Sequence, residues 1–275
     1  MKAAPFDYLL PRNVEEAVEA LAASDGVKLI AGGQSLGPML NLRFARPNLL
    51  VDISRLPELR RIEETPTLWR IGAGATHADL EDIGPLNGAE LIGEVAAGIA
   101  YRSVRNRGTI GGSLAHADPA GDWPLALATL DAVINIRGRK GRTRRVPAGA
   151  FIEAAFVTVL QQDEIIESIE VAKRAPATRR GYFKFCRKTG EFPESSAAII
   201  IDPVPERSRI VVGALSGAPR SLLQLAQDVS REGMAAATDE AVTKAIAAAA
   251  PDLGRIDLRM HAAGVRHVIR KAFQQ

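Results

Sequence analysis

Residues 29–36 read LIAGGQSL and residues 108–124 read GTIGGSLAHADPAGDWP. Adjacent glycines weaken a helix or strand, because glycine loses the most backbone freedom on folding. They are tolerated where φ must be positive or where another group must touch the backbone. Successive exposed amides in such a turn form a concave nest for phosphate oxygens. Gly32 and Gly33 bare the backbone in the first segment, and Gln34 and Ser35 add polar side chains. Thr109, Gly111, Gly112 and Ser113 offer the same chemistry in the second, with Gly111 expected at positive φ. Neither segment has the G-x-G-x-x-G spacing of a dinucleotide-binding turn or the Gly-Lys-Ser/Thr of a P-loop. Each alone reads as a tight turn. The pair suits a diphosphate held between two parts of the chain, and a dinucleotide cofactor carries one.

The elements that must position these turns are legible as periodicities. Asn13 stands as a helix N-cap with Glu16 three residues on, the spacing of a capping box. Val14, Ala17, Val18 and Leu21 then recur at helical spacing. VKLIA before the first glycine pair and NLLVDI after it read as buried strands, so a small βαβ unit with a parallel sheet is expected over residues 1–54. From residue 55 the pattern changes. LWRIGAGAT, AVINI and DEIIESIEV read as strands of a more antiparallel sheet. Thr76 caps a short helix, and helices are expected over residues 90–100 and in PLALATL. The second glycine segment is expected as a loop between them.

A boundary is expected at KRAPA (residues 173–177), dividing the chain into 1–175 and 176–275. Beyond it GYFKFCRK, SSAAIIID and RIVVGAL suit a small antiparallel sheet. Three alanine-rich amphipathic stretches follow as helices. The fold class is therefore α+β: a two-part N-terminal region, then a smaller C-terminal α/β region.

The 275 residues are 47% hydrophobic and 24% charged, the balance of a globular protein with a proper core. A net charge of +3 from 35 basic and 32 acidic residues gives no argument for nucleic acid. The densest basic run, RGRKGRTRR at 137–145, reads as a solvated hairpin tip. No segment approaches the ~20 apolar residues that span a bilayer, and no signal-peptide pattern opens the chain. With one cysteine, Cys186, the chain cannot form an internal disulfide or ligate an iron–sulfur cluster by itself. The four histidines lack metal-ligand spacing. A cytoplasmic chain without a metal site or an acid–base constellation of its own is expected. His116 reads as a loop residue and Cys186 as packing.

AGGQSLGPMLNLR followed by VRNRGTIGGSLAHADPAGDWP resembles the FAD-binding, or medium, subunit of the molybdenum hydroxylases, of the carbon-monoxide-dehydrogenase type. Xanthine dehydrogenase carries a related domain, and vanillyl-alcohol-oxidase-type (PCMH-type) flavoproteins share the fold more distantly. The likeness runs through GYFKFCRKTGEFPESSAAIIID. It implies FAD lying extended between the two N-terminal subdomains. On the first segment the matching positions are Leu29, Ile30, Ala31, Gly32, Gly33, Gln34, Ser35 and Leu36. On the second they are Thr109, Ile110, Gly111, Gly112 and Ser113. The resemblance implies Ile99 near the adenine or ribityl portion, and Asp122 as acceptor for the adenosine hydroxyls or adenine. It sets Ile166 at the adenine end, Lys184 near the flavin and Phe192 beside the ring. It further implies partner chains: a small subunit with [2Fe-2S] clusters and a large subunit with molybdopterin, in a dimer of heterotrimers, with electrons leaving to an external acceptor. Three departures stand out: Gln34 where relatives have His, Tyr101 for the His of an IAHPQVRNRG pattern, and Gly264-Val265-Arg266 for Tyr-Arg-Arg. A free-standing flavin oxidase and a flavin-free scaffolding subunit are the alternative readings.

Overall fold

The computed structural model describes residues 2–83 and 86–274. The chain opens with β1 (Asp7–Leu9), α1 (Val14–Ala23), β2 (Val27–Ile30), α2 (Leu36–Asn41) and β3 (Leu49–Asp52). The three strands pair in parallel in the order β1-β3-β2, with Leu29 opposite Val51. Helix α1 forms because its apolar residues fall on one face. Val14, Ala17, Val18 and Leu21 are all buried there, the first three against Val51, Ile53 and Leu59. The Asn13 side chain accepts from the Glu16 amide at 2.8 Å. The expected box is only half made, because the Glu16 carboxylate takes the Arg12 amide instead.

The second part begins with β4 (Ile62–Glu64) and β5 (Leu68–Gly72) and then runs through five helices. They are α3 (His77–Asp82), α4 (Leu91–Gly98), α5 (Arg102–Arg105), α6 (Ile110–His116) and α7 (Asp122–Thr129). Strands β6 (Val133–Arg137), β7 (Thr143–Pro147), β8 (Ile152–Ala154), β9 (Val157–Thr158) and β10 (Ile165–Ala172) follow. Except for the β8–β9 pair, these strands join β4 and β5 in one antiparallel sheet of order β4-β5-β10-β6-β7. Thr76 and Asp79 make a complete capping box at the start of α3.

The tip of the basic hairpin β6–β7, residues 139–143, is exposed as expected, but its charges are not left to solvent alone. Arg137 and Arg139 reach Glu15 and Glu19 on α1, and Arg144 pairs with the buried Glu164 at 2.7 Å. Its charges fasten the second part to the first.

The last part has β11 (Arg179–Phe185), β12 (Ser195–Ile201), β13 (Arg209–Gly213) and β14 (Arg220–Ser221), paired antiparallel in sequence order. Helices α8 (Leu223–Glu232), α9 (Asp239–Ala249) and α10 (Arg255–Phe273) complete the chain. Every residue of β12 is buried, and the period-2 alternation explains it. Ala197, Ile199 and Ile201 face the helices, while Ala198 and Ile200 join the core around α4 and α7. No described helix is long and apolar enough to cross a membrane.

The second glycine pair departs from the expected loop. Gly111 and Gly112 lie inside α6, whose N-cap is Thr109, its hydroxyl accepting from the Gly112 amide at 3.0 Å. Gly111 is not at positive φ. Its glycine is required by close packing, since a Cβ there would stand 2.5 Å from the Ala73 Cβ and 2.7 Å from its carbonyl oxygen. Gly37, in α2, has nothing within 4 Å of the same position. Gly111→Ala is therefore expected to destabilise by about 1–3 kcal/mol through overpacking. Gly37→Ala should be neutral or stabilising by up to about 1 kcal/mol. Urea unfolding of both variants checks the pair, and equal effects would remove the packing explanation.

Candidate functional site

A cleft of about 850 Å³ opens between the first two parts, with residues from the third at its mouth. Its size falls in the range of small-molecule and cofactor sites. Leu29 through Leu36 line one wall. Thr109, Gly111, Gly112 and Ser113 line the other, and Ile99, Asp122, Ile166 and Lys184 also face it. Ile110 does not: it is fully buried in the core beneath α6.

The two glycine segments reach the cleft by different means. Gly33 sits at φ +71°. Among the described residues the amides of Gly33, Gln34 and Ser35 donate to no protein acceptor. They remain available to a ligand, as a nest requires. On the opposite wall the amides of Ile110, Gly111, Gly112 and Ser113 are already taken, by Ala75, Ala73 and Thr109. That wall offers the Thr109 and Ser113 side chains and a surface without bulk. Only one of the two expected nests exists. The Gln34 side chain turns back on its own loop, donating to the Gly32 carbonyl at 3.1 Å.

Asp122 is the first residue of α7 and is 9% exposed. Its carboxylate accepts from the Tyr182 hydroxyl and from Lys184 Nζ, the latter 3.2 Å from both oxygens. Burial raises the Asp122 carboxyl's pKa, and the Lys184 ammonium and Tyr182 hydroxyl pull against that rise. Tyr182 is pushed well above the ordinary phenol range, by burial first and the Asp122 charge second. Lys184 lies on β11, so the third part supplies a cation to the cleft.

His77 was not among the expected site residues. It lines the cleft at the start of α3, where its Nδ1 accepts from the Trp123 indole N–H at 3.0 Å. That contact makes the neutral ring carry its proton on Nε2. Burial, helped by the Arg105 charge, pulls its pKa down to about 4. His116 also lines the cleft, its ring 5.2 Å from that of Phe156. At the mouth, the Tyr101 hydroxyl donates to the Thr189 carbonyl at 3.0 Å. Gly190, at φ +90°, leaves room for the Tyr101 ring, and the exposed Phe192 follows. These contacts join residues about forty to ninety positions apart. No local sequence signal announces them.

The family described as the FAD binding domain in molybdopterin dehydrogenase matches residues 4–173. The chain belongs to that family. It is 37% identical over 271 residues to the carbon monoxide dehydrogenase medium chain of Hydrogenophaga pseudoflava, covering 94% of this chain and 93% of the relative. It is 36% identical over 222 residues to the nicotine 6-hydroxylase medium subunit of Paenarthrobacter nicotinovorans, covering 79% and 77%. A solved carbon monoxide dehydrogenase from H. pseudoflava, lacking the Mo-pyranopterin moiety of its molybdenum cofactor, superposes with a TM-score of 0.87 at 33% identity, covering 100% of this chain and 99% of that one. The α+β, PCMH-type arrangement and the standing of a medium, FAD-binding subunit of an oxidoreductase follow.

Two outcomes test the site's electrostatics. The folded pKa of His77 lies below its unfolded value, so its contribution is present above pH 6.5 and is lost as pH falls toward about 4. The loss is on the order of 3 kcal/mol. Denaturation of His77→Gln at pH 7 and pH 4.5 should lack that component, and an unchanged pH dependence would show the ring is not its source. Asp122→Ala strands the Lys184 ammonium and is expected to lower stability by about 3 kcal/mol. Adding Lys184→Met should recover part of that loss. A double-mutant cycle with no coupling would mean the pair is idle.

Proposed function

We propose that this chain carries FAD in the cleft and relays electrons from an iron–sulfur partner to an external acceptor within a molybdenum-dependent dehydrogenase. The observation that carries the reading is the cleft itself: three unengaged amides at Gly33–Ser35 facing a wall cleared of side chains at Gly111 and Gly112. That pairing fits a diphosphate. Gly33, Gln34 and Ser35 would bind it through backbone N–H groups, and Thr109 and Ser113 would add hydroxyls from across the cleft. Ile99 and Ile166 would pack against apolar portions of the dinucleotide, with Leu29 to Ala31 and Leu36 completing the first wall. Asp122 would orient the cofactor, and Lys184 would hold a positive charge beside it. Phe192 would cover one face at the mouth. Ile110 supports the wall from the core without touching the ligand.

FAD supplies the capacity to take up electrons and pass them on, which no side chain of this protein has. The hydroxylation chemistry belongs elsewhere in the assembly. The names of the relatives span carbon monoxide and nicotine, so substrate choice fits the molybdopterin subunit. The partners in this reading are a small subunit with [2Fe-2S] clusters and that large subunit, assembled as a dimer of heterotrimers. The domain division at 175 and a cytoplasmic setting, which suits the unpaired thiol of Cys186, belong to the same reading.

The purified chain is expected to bind FAD noncovalently, so acid denaturation should release free flavin. It should show no hydroxylase activity alone and gain dye reduction when mixed with its iron–sulfur and molybdopterin partners. Flavin retained on the unfolded chain would refute the binding mode. Substrate turnover by this chain alone would refute the relay and favour a free-standing oxidase.

A further inference from the structure

A second, smaller cavity of about 190 Å³ lies where the connector between β10 and β11 passes the start of α4. It shares no lining residue with the cleft. Four buried side-chain polar atoms among the described residues have no hydrogen-bond partner. Three of them, Arg174 Nε, Thr178 Oγ1 and Arg180 Nε, belong to residues lining this one cavity. Buried polar groups are normally satisfied, and a charged donor left without an acceptor is costly. All three residues border the same space, so this one cavity gathers most of the unsatisfied buried polar atoms among the described residues.

The carboxylates nearby do not fill the role. Asp131 and Asp202 stand 3.9 Å from Arg174, and Glu90 stands 4.0 Å from Arg180, all beyond hydrogen-bond distance. Each has at least one oxygen committed elsewhere. Asp131 holds Arg209 at 2.7 Å, Asp202 takes the Val204 amide at 2.9 Å, and Glu90 takes the Gly88 amide at 3.0 Å. Arg207 and Arg209 add further positive charge around Arg174. Burial lowers the Arg174 pKa, with Asp131 and Asp202 pulling the other way. Helix α4 opens at the same cavity with no side-chain cap. Its N-terminal end therefore adds partial positive charge. Guanidinium forks and a helix N-terminus are the groups that bind oxyanions.

We propose that this cavity binds a small oxyanion of the phosphate type, received by the guanidinium groups of Arg174 and Arg180 and the Thr178 hydroxyl. Such a ligand would tie the 173–178 connector to α4 and so brace the junction between the antiparallel sheet of the second part and β11. The chemistry is shared by free inorganic phosphate, sulfate and the carboxylate of a small acid, and the test separates them.

The FAD-loaded protein would be melted in chloride buffer of constant ionic strength, with inorganic phosphate, sulfate or acetate replacing chloride at low concentration. Phosphate is expected to raise the Tm along a curve that saturates, with acetate weaker if the site prefers a tetrahedral anion. Arg180→Gln should melt near the wild type in chloride and need about tenfold more phosphate for the same rise, the loss of one charge-assisted contact. Thr178→Val should weaken the response less. Flavin content should stay constant throughout, which distinguishes this cavity from the diphosphate position in the cleft. A rise that never saturates and is equal in Arg180→Gln is general anion stabilisation and would overturn the proposal, as would no response to any of the three anions.

Discussion

The cleft depends on one contact between backbones. A Cβ on Gly32 would fall 1.9 Å from the Arg107 carbonyl oxygen and 2.8 Å from the Gly108 Cα, so the β2–α2 turn presses directly on the turn between α5 and α6. The contact is reinforced from both sides: the Gly32 carbonyl accepts from Gln34 Nε2 at 3.1 Å and from Arg107 Nε at 3.4 Å. Backbone against backbone has no rotamers to lose, and any side chain at Gly32 would separate the walls. A second glycine contact, Gly111 on Ala73, sets α6 against the sheet, and the bridge between Thr76 and Thr109 holds its start. Because these contacts use the amides of the second wall and none at Gly33–Ser35, the same geometry that closes the cleft leaves its donors on one side.

Charge is distributed over the cleft by burial. At the α3 corner His77 is kept neutral at physiological pH, since its ring is buried and its Nδ1 is committed to Trp123. At the α7 corner Asp122 is kept with a partner: removing it from water is compensated by the Lys184 ammonium and the Tyr182 hydroxyl together. A neutral ring beside Gly108 and a matched pair at Asp122 let the wall between them stay apolar without stranding a charge.

Much of this architecture was written in residue patterns. The α1 stripe, the short apolar runs of β2 and β3, and the caps at Asn13 and Thr76 each follow from local chemistry, and each element lies where its pattern puts it. The second glycine pair misleads because glycine has two uses. A glycine pair suggests a turn, whereas at Gly111 glycine permits close helix packing at ordinary φ, and only Gly33 of the four paired glycines takes the left-handed conformation. Nothing within a few residues of Gly111 reveals that Ala73 will be its neighbour. The same limit hid His77, whose partner Trp123 lies 46 positions away, and it hid the acidic partners of the 137–145 hairpin on α1. Local patterns report elements, while long-range pairings decide which donors remain free.

The family match ends at residue 173, yet the cleft does not. Lys184 reaches it from β11, and Gly190 and Phe192 reach it from the loop that follows. Tyr182, two residues before Lys184, is buried against Asp122 and belongs to the same core as α4 and α7. Without β11, Asp122 would be a buried carboxylate with neither cation nor hydroxyl, the most unfavourable arrangement for such a group. The Ala198 and Ile200 faces of β12 would also leave the core they share with α7. The third part is therefore a structural member of the site, supplying the countercharge that allows an acid to be buried in the cleft wall.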